Sequence, residues 1–176
     1  MGVGKFGGKI NRLRVDTLFN GPGGNATNLG VMIGKNRQHL DCTTNAYHNV
    51  PNTTNDIVAN AIMMDNSSSI YRGLIKIAKE AQGTNSFLSN NVLKLSEKAV
   101  ANSIPALEID ANEVKASHGA TIGQIDEEQL FYLRSRGLSQ IDAERLIVEG
   151  FFEPIIHKIT DEKVQEKFRA AILEVV

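Results

Sequence analysis

The stretch Ser103–Gly137 reads SIPALEIDANEVKASHGATIGQIDEEQLFYLRSRG and contains a change from a strand-like to a helical pattern. Before Ile125, apolar residues alternate with polar ones in short runs separated by turns, as they do in β-strands. From Asp126 the chain carries helix signals: a capping aspartate, acidic residues in the first turn and a terminating Gly137. The stretch therefore predicts a β body that ends near residue 125 and a helical subdomain after it.

Composition excludes several classes of function. The 176 residues suffice for one domain with a buried core, and 19 Lys and Arg against 20 Asp and Glu give a net charge of -1. That balance argues against a nucleic-acid partner, and no apolar run is long enough to span a membrane. The amino terminus lacks the apolar core of a secretory signal, so we expect a cytoplasmic protein. The single cysteine, Cys42, excludes an internal disulfide.

Short alternating runs recur throughout residues 10–125. Ile57 and Ile70 are 13 positions apart, Leu93 and Leu107 are 14 apart, and Asn, Ser and Thr crowd the turns between such runs. This rhythm predicts a mainly β fold, either a meandering sandwich or a parallel β-helix, and periodicity does not decide between them. The glycine-rich segment 1–9 is expected to be flexible.

Residues 126–176 have helical periodicity. After the helix that begins at Asp126, Ser139 is expected to cap a second helix that ends at Gly150. A third short segment should begin at Phe151, and a last helix should begin at Thr160 or Asp161. The expected apolar face of the second helix is formed by Ile141, Leu146 and Ile147.

The helical segment carries more apolar and aromatic side chain than short helices can hide, so we predict that it binds a partner. The alternative is a cap that covers the last exposed β edge. The predicted partner-binding residues are Leu130, Phe131, Tyr132, Leu133, Arg134, Arg136, Gly137, Phe151 and Phe152.

The four histidines differ in setting. His118 ends a strand-like run, between a serine and a glycine, and is either a metal ligand or proton carrier or a structural residue bonded to turn backbone. His39, Cys42 and His48 lie within ten residues of one another, but separations of three and six do not by themselves converge on a metal. His157 is expected to be solvated.

Several blocks of this sequence resemble the SufB/SufD family of iron–sulfur cluster assembly proteins. The resemblance extends from about Gly8 to Pro154. The strong blocks are Pro105–Ile109, Val114–Gly123, Leu130–Gly137 and Gly150–Phe151, and the weaker ones are Leu40–Pro51 and Tyr71–Ile77.

This resemblance implies a right-handed parallel β-helix over residues 10–125 and a small α-helical subdomain over 126–176. It further implies pairing through the β-helix, either with a SufB-type subunit or with a second copy, and docking of a SufC-type ABC ATPase on the helical subdomain. A cysteine desulfurase system would supply sulfur indirectly. Family members are longer, so the chain is expected to correspond to their C-terminal portion.

Two departures indicate the SufD branch. The SufB branch carries a cysteine in the coil that here reads Ser86–Asn91, and a glutamate where this chain has Gly119. Ser117–Thr121 and Phe131–Gly137 resemble SufD, whereas Tyr71–Ile77 and Ile147–Phe151 resemble SufB. His118 matches the SufD-branch histidine expected to face the partner.

We therefore expect a non-enzymatic, SufD-like assembly subunit. His118 would contribute to a transient iron–sulfur cluster shared with a partner, and no cofactor would be held tightly by this chain alone. Two alternatives remain open: a β-helix enzyme or binding module that acts on a polymeric substrate with His118 as general base, and a purely structural module.

Overall fold

The chain forms a parallel β-helix of about four turns with three helices after it, which confirms the predicted fold class. The computed structural model describes residues 1–6 and 8–175. The strands are β1 Gly2–Phe6, β2 Ile10–Phe19, β3 Asn25–Gly34, β4 His39–His48, β5 Thr54–Met63, β6 Ser68–Ile77, β7 Asn85–Lys94, β8 Val100–Ile109 and β9 Lys115–Gln124. The helices are α1 Glu127–Ser135, α2 Gln140–Ile156 and α3 Glu162–Val175.

Successive strands alternate between two parallel sheets. One sheet has the order β1-β3-β5-β7-β9 and the other the order β2-β4-β6-β8. Ile10 pairs with His39, 29 positions later, and Ser68 pairs with Val100, 32 positions later. The 13- and 14-residue spacings in the sequence therefore correspond to half a coil, and the β-helix, not the sandwich, is the architecture.

The corners of the coils stack on one another through left-handed residues. Gly23, Asn52 and Gly83 occupy equivalent places in three successive coils, with φ of 74°, 58° and 73°. The Gly23 N–H donates to the Pro51 carbonyl at 3.4 Å, and the Asn52 N–H donates to the Gln82 carbonyl at 2.8 Å. Asparagine and glycine tolerate this conformation, so the polar turns of the sequence become a repeated structural device.

Two apolar clusters hold the molecule together. The first fills the interior of the coils and includes Ile57, Tyr71 and Leu88. The second lies between the outer face of the five-stranded sheet and the helices. The helices therefore cover a sheet face, and the last coil stays open at the end where a cap had been the alternative.

The second helix is longer than predicted. It continues through Gly150 and Pro154 to Ile156, because Phe152, Ile155 and Ile156 recur at helical spacing and are buried against the sheet. This burial outweighs the roughly 1 kcal/mol that a glycine costs and the roughly 3 kcal/mol that a proline costs inside a helix. Asp161 caps α3, since its carboxylate accepts from the Lys163 N–H at 2.9 Å.

Secondary structure extends into the amino-terminal segment and changes type after residue 124. Segment 1–9, expected to be flexible, contains strand β1, which pairs with Leu29–Ile33 of β3; Gly7 lies outside the described residues. The last strand ends at Gln124 and α1 begins at Glu127. Asp126 accepts from the Glu128 N–H at 2.9 Å, as its place in the sequence predicts.

Candidate functional site

The last coil leaves an open end, formed by β8 and β9, each of which has one neighbouring strand in its sheet. The Lys115 N–H donates to the Thr84 carbonyl at 2.8 Å, and the Ile125 N–H donates to the Lys94 carbonyl at 3.0 Å. Because alternate residues of a parallel strand bond to the same neighbour, the odd-numbered N–H groups of β9 face β7. The even-numbered ones, including that of His118, face the free edge.

His118 belongs to the column of residues that points into the β-helix. It pairs in register with Leu88, which pairs with Ile57, and both of those side chains are buried in the interior. No further coil covers His118 within the part of the chain that the structure describes, so the imidazole is exposed. His118 therefore lies at the open end of the β-helix, in the last layer of the interior, where a second chain could reach it.

Pro105 lies across the coil from His118. A Cβ added to Gly73 would run into the Leu88 side chain, so these two residues face each other across the interior of the preceding coil. Gly73 pairs in register with Pro105 as Leu88 does with His118. The imidazole is thus opposite a ring without ionisable groups, which leaves its nitrogens available to a partner.

A second exposed surface lies on α1. Phe131 is 74% exposed and Tyr132 is 55% exposed. The Arg136 guanidinium lies 5.2 Å from the centre of the Tyr132 ring and donates to the Tyr132 hydroxyl at 3.2 Å. We call Phe131, Tyr132 and Arg136 the aromatic patch. Aromatic and arginine side chains of this kind are the usual anchors of protein interfaces.

The other predicted partner-binding residues differ in exposure. Leu130, Leu133 and Phe151 are half-buried, whereas Arg134 and Gly137 are exposed. Phe152 departs from the expectation, because its side chain is fully buried between α2 and the sheet. It holds α2 against the sheet and has no exposed area that could contact a partner.

The predicted apolar face of α2 is also corrected. Ile141 and Leu146 are 60% and 48% exposed, and the packed face is formed by Ala143, Val148, Phe152, Ile155 and Ile156. Ile141 and Leu146 are therefore surface residues, contrary to the prediction that they pack against the body. The signal was present: apolar residues at 141, 143, 146, 147 and 148 are too many for one helical face.

His39, Cys42 and His48 do not form a metal site. His39 lies on the outer side of β4 and bonds to the Ser68 hydroxyl at 2.8 Å, whereas Cys42 and His48 point inward. Cys42 and His48 are also roughly 20 Å apart, because a strand rises about 3.3 Å per residue. Among the described residues, no group of three or more His, Cys, Asp or Glu side chains could hold a metal ion.

The described helices include none with the length and apolar character that a membrane crossing requires.

Comparison with known proteins identifies relatives across nearly the whole chain. Residues 2–151 match the family model described as SUF system FeS cluster assembly, SufBD core domain. An iron–sulfur cluster assembly SufBD family protein of Mycobacterium leprae is 39% identical over 95% of this chain and 45% of its own length.

Both named branches are among the relatives. The iron–sulfur cluster assembly protein SufD of Escherichia coli is 33% identical over 95% of this chain and 40% of its own length. The iron–sulfur cluster assembly protein SufB of Bacillus subtilis is 31% identical over 94% of this chain and 36% of its own length. The chain thus spans less than half the length of these curated relatives.

Proposed function

This chain belongs to the SufB/SufD family of iron–sulfur cluster assembly proteins, and we propose that it works there as a non-enzymatic, SufD-like subunit. It pairs through the open end of its β-helix with a SufB-type subunit or a second copy. It docks a SufC-type ABC ATPase through the exposed faces of α1 and α2. The setting is the cytoplasm, with a cysteine desulfurase system as the indirect source of sulfur.

The observation that carries the proposal is the position of His118 at the open end. The residue is exposed and lies in the interior column, next to backbone N–H groups for which the described part of the chain offers no pairing strand. A free strand edge is a template for pairing with another chain. Pairing there would bring a partner's side chains to the imidazole.

The ligand chemistry fits a shared cluster. Histidine nitrogen can replace cysteine thiolate as a ligand to iron in a cluster. His118 offers one such nitrogen, and the partner has to supply the rest of the ligand set. The cluster is assembled and then passed on, and this chain contributes one nitrogen ligand at the interface with its partner subunit.

The lack of a cysteine in the coil Ser86–Asn91 supports the SufD-like assignment. The one cysteine, Cys42, is buried in the interior cluster and is remote from the open end. Persulfide sulfur is accepted by a thiolate, so that step falls to the partner subunit.

Docking on the helices is supported by the aromatic patch together with Ile141 and Leu146. These exposed apolar side chains follow one another along α1 and the first half of α2. An apolar and aromatic surface with an arginine at its rim suits a protein partner.

The proposal is tested by His118→Ala in the complex with its partner subunit and ATPase. After anaerobic reconstitution we expect the variant to hold about tenfold less cluster than wild type, or less still. Changes even to residues around the ligands of a metal site lower metal affinity by about that factor. Iron and acid-labile sulfide per complex are the measurement. The matched control is His157→Ala, an exposed histidine near the end of α2 that should leave both values unchanged. Equal cluster content in His118→Ala and wild type would refute the shared-ligand role.

A further inference from the structure

Three polar side chains form a continuous ladder across the outer face of the five-stranded sheet. The Thr121 hydroxyl donates to the Asn91 side-chain oxygen at 2.8 Å, and the Asn91 amide donates to the Asn60 side-chain oxygen at 3.1 Å. The Asn60 amide then donates to the backbone carbonyl of Phe151 in α2 at 3.3 Å. We call Thr121, Asn91 and Asn60 the polar ladder. It joins the free edge strand to the helical subdomain.

The register of the sheet builds this ladder. Asn60 pairs with Asn91 and Asn91 pairs with Thr121, so the three side chains occupy one column on β5, β7 and β9. Strands lie about 4.8 Å apart, which short amide and hydroxyl side chains can bridge. The column continues to Val31 on β3, where the helices cover the sheet and an apolar residue takes over.

Asn60 is placed where an apolar residue would serve stability. It is 5% exposed, with Val31 beside it in the column and Ile62 further along the same face of β5, both in the apolar cluster under the helices. Burying an amide there carries a desolvation cost that a hydrocarbon side chain would not have. The Asn60 amide links two elements, because its oxygen accepts from Asn91 of β7 and its nitrogen donates to the Phe151 carbonyl of α2.

All three bonds of the ladder point the same way. Each donor belongs to the residue nearer the free edge, and each acceptor lies nearer to α2. Bonds aligned in this manner polarise one another, so a change at one end alters the strength of the next bond. The ladder thus has a defined polarity from Thr121 to Phe151.

The ladder also closes a loop in the structure. Following the chain from β9, the Ile125 N–H bonds to the Lys94 carbonyl at 3.0 Å, Asp126 caps α1, and α1 leads to α2. An open groove lies inside this loop, lined by Leu93, Gln124, Asp126, Gln129, Leu146 and Ile147. Strand β9 is therefore attached to the helices twice, covalently through α1 and by hydrogen bonds through the polar ladder.

We infer that Thr121, Asn91 and Asn60 are positioning residues that fix β9, and with it His118, relative to α2. Thr121 lies three positions after His118 on the same strand and on its opposite face. When a partner docks on the helices, the resulting change in α2 alters the position and stability of β9 through this column of hydrogen bonds. The inference deepens the proposed function and rests on it for the identity of that partner.

The first test needs only the chain itself. Hydrogen exchange is measured for the N–H groups of residues 119, 121 and 123 in wild type, Asn60→Leu, Thr121→Val and the double variant. Asn60→Leu keeps the shape in apolar surroundings, and Thr121→Val keeps the branched side chain without its hydroxyl. We expect about fivefold faster exchange at β9 in each single variant, the factor that corresponds to one net hydrogen bond.

The two changes should not multiply. If the polar ladder couples α2 to β9, Asn60→Leu should have little further effect on β9 exchange once Thr121→Val has removed the bond between Thr121 and Asn91. Independent effects would instead make exchange about 25-fold faster in the double variant. Thr121→Ser keeps the hydroxyl and should therefore exchange at the wild-type rate. Ser89→Ala, which lies on the same face of β7 as Asn91, should also leave the exchange rate of β9 unchanged. Unaltered β9 exchange in Asn60→Leu, or a fully multiplicative double variant, would overturn the inference.

A second measurement separates the ladder from the proposed function. With a SufC-type ATPase bound, β9 exchange should slow in wild type and respond less in Thr121→Val, although the ATPase co-purifies equally with both. An equal response in both would refute transmission through the ladder. An ATPase that binds neither protein would instead refute the docking proposal and leave the result of the free-chain test standing.

Discussion

At the scale of single residues, His48 shows how burial decides what a histidine does. Its side chain is fully buried at a corner of the β-helix and stacks on Phe19 with 4.5 Å between ring centres. Its Nδ1 lies 2.7 Å from the Thr53 hydroxyl and its Nε2 lies 3.2 Å from the Ser86 hydroxyl. Hydroxyls donate or accept as needed, so the neutral ring is satisfied at both nitrogens.

This burial predicts a pH-dependent stability. Desolvation lowers the pKa of His48 from 6.5 to about 4, so below pH 6.5 the unfolded chain binds a proton that the folded chain does not. The contribution of the neutral ring is therefore complete above pH 6.5 and is lost as the pH falls towards 4. Between pH 7 and pH 5, wild type should lose about 2 kcal/mol of unfolding free energy through this residue.

Denaturant unfolding at the two pH values measures this loss. His48→Gln removes the titration and keeps a polar group at the corner, so its stability should change about 2 kcal/mol less between pH 7 and 5. His118→Gln is the control, because His118 is exposed at the open end, outside the buried corner, and its variant should follow wild type. An identical pH dependence in wild type and His48→Gln would contradict the assignment.

At the scale of elements, the stacked corners depend on backbone conformations that few residues adopt. Gly83 has φ of 73°, and a Cβ there would run into the Asn52 side-chain oxygen of the preceding coil. Gly83→Ala should therefore lower the unfolding free energy by about 1–2 kcal/mol from the left-handed backbone alone.

Gly21→Ala is the matched control for this corner. Gly21 lies in the first corner of the same stack, without a positive φ and with no atom within 4 Å of an added Cβ. Its variant should match wild type or be slightly more stable, because alanine restricts the unfolded chain. A Gly83→Ala protein as stable as Gly21→Ala would show that the corners tolerate a side chain.

Helix α1 has few packing constraints of its own, which suits a binding element. It contains no buried residue, so its sequence is free to serve an interface. Phe131→Ala should weaken ATPase docking by 2 kcal/mol or more, roughly 30-fold, if Phe131 is an anchor of the interface. Co-purification and a titration of the ATPase measure the change.

Leu173→Ala gives the control for docking. Leu173 is an exposed apolar residue of α3, a different helix from the one that carries the aromatic patch. Its variant should bind the ATPase as wild type does. Docking that is unaffected by Phe131→Ala would place the ATPase elsewhere.

At the scale of the whole molecule, the free edge of β9 predicts how the chain pairs. Ala120→Pro removes an N–H that faces the free edge, so the fold should persist while pairing is lost. Gly119→Pro, one residue earlier, removes an N–H that faces β7 and should lower the unfolding free energy by about 1–3 kcal/mol.

Sedimentation velocity distinguishes the two proline variants. The chain alone and the chain mixed with a SufB-type subunit are compared for wild type and Ala120→Pro. The variant should sediment as a monomer in both cases, with an unfolding midpoint close to that of wild type. Pairing of Ala120→Pro at wild-type strength would exclude the β9 edge as the interface.

Features that depend on local chemistry can be predicted from the amino-acid sequence. The period-two runs, the caps at Asp126 and Ser139, and the polar corners were predicted because side-chain alternation and capping act over a few residues. The half-coil spacing of 13 and 14 residues was also visible, although it could not separate a sandwich from a β-helix.

Which faces of the strands and helices are covered depends on how the coils and helices pack together. Alternation gives a strand two faces, but only the stacking of Ile57, Leu88 and His118 makes one of them the interior. Likewise Val148 is buried and Ile141 exposed on one helix because the sheet occupies one side of it. The ladder from Thr121 to Phe151 passes through Asn60, 61 positions away in sequence, and contacts at that range arise only when the coils stack.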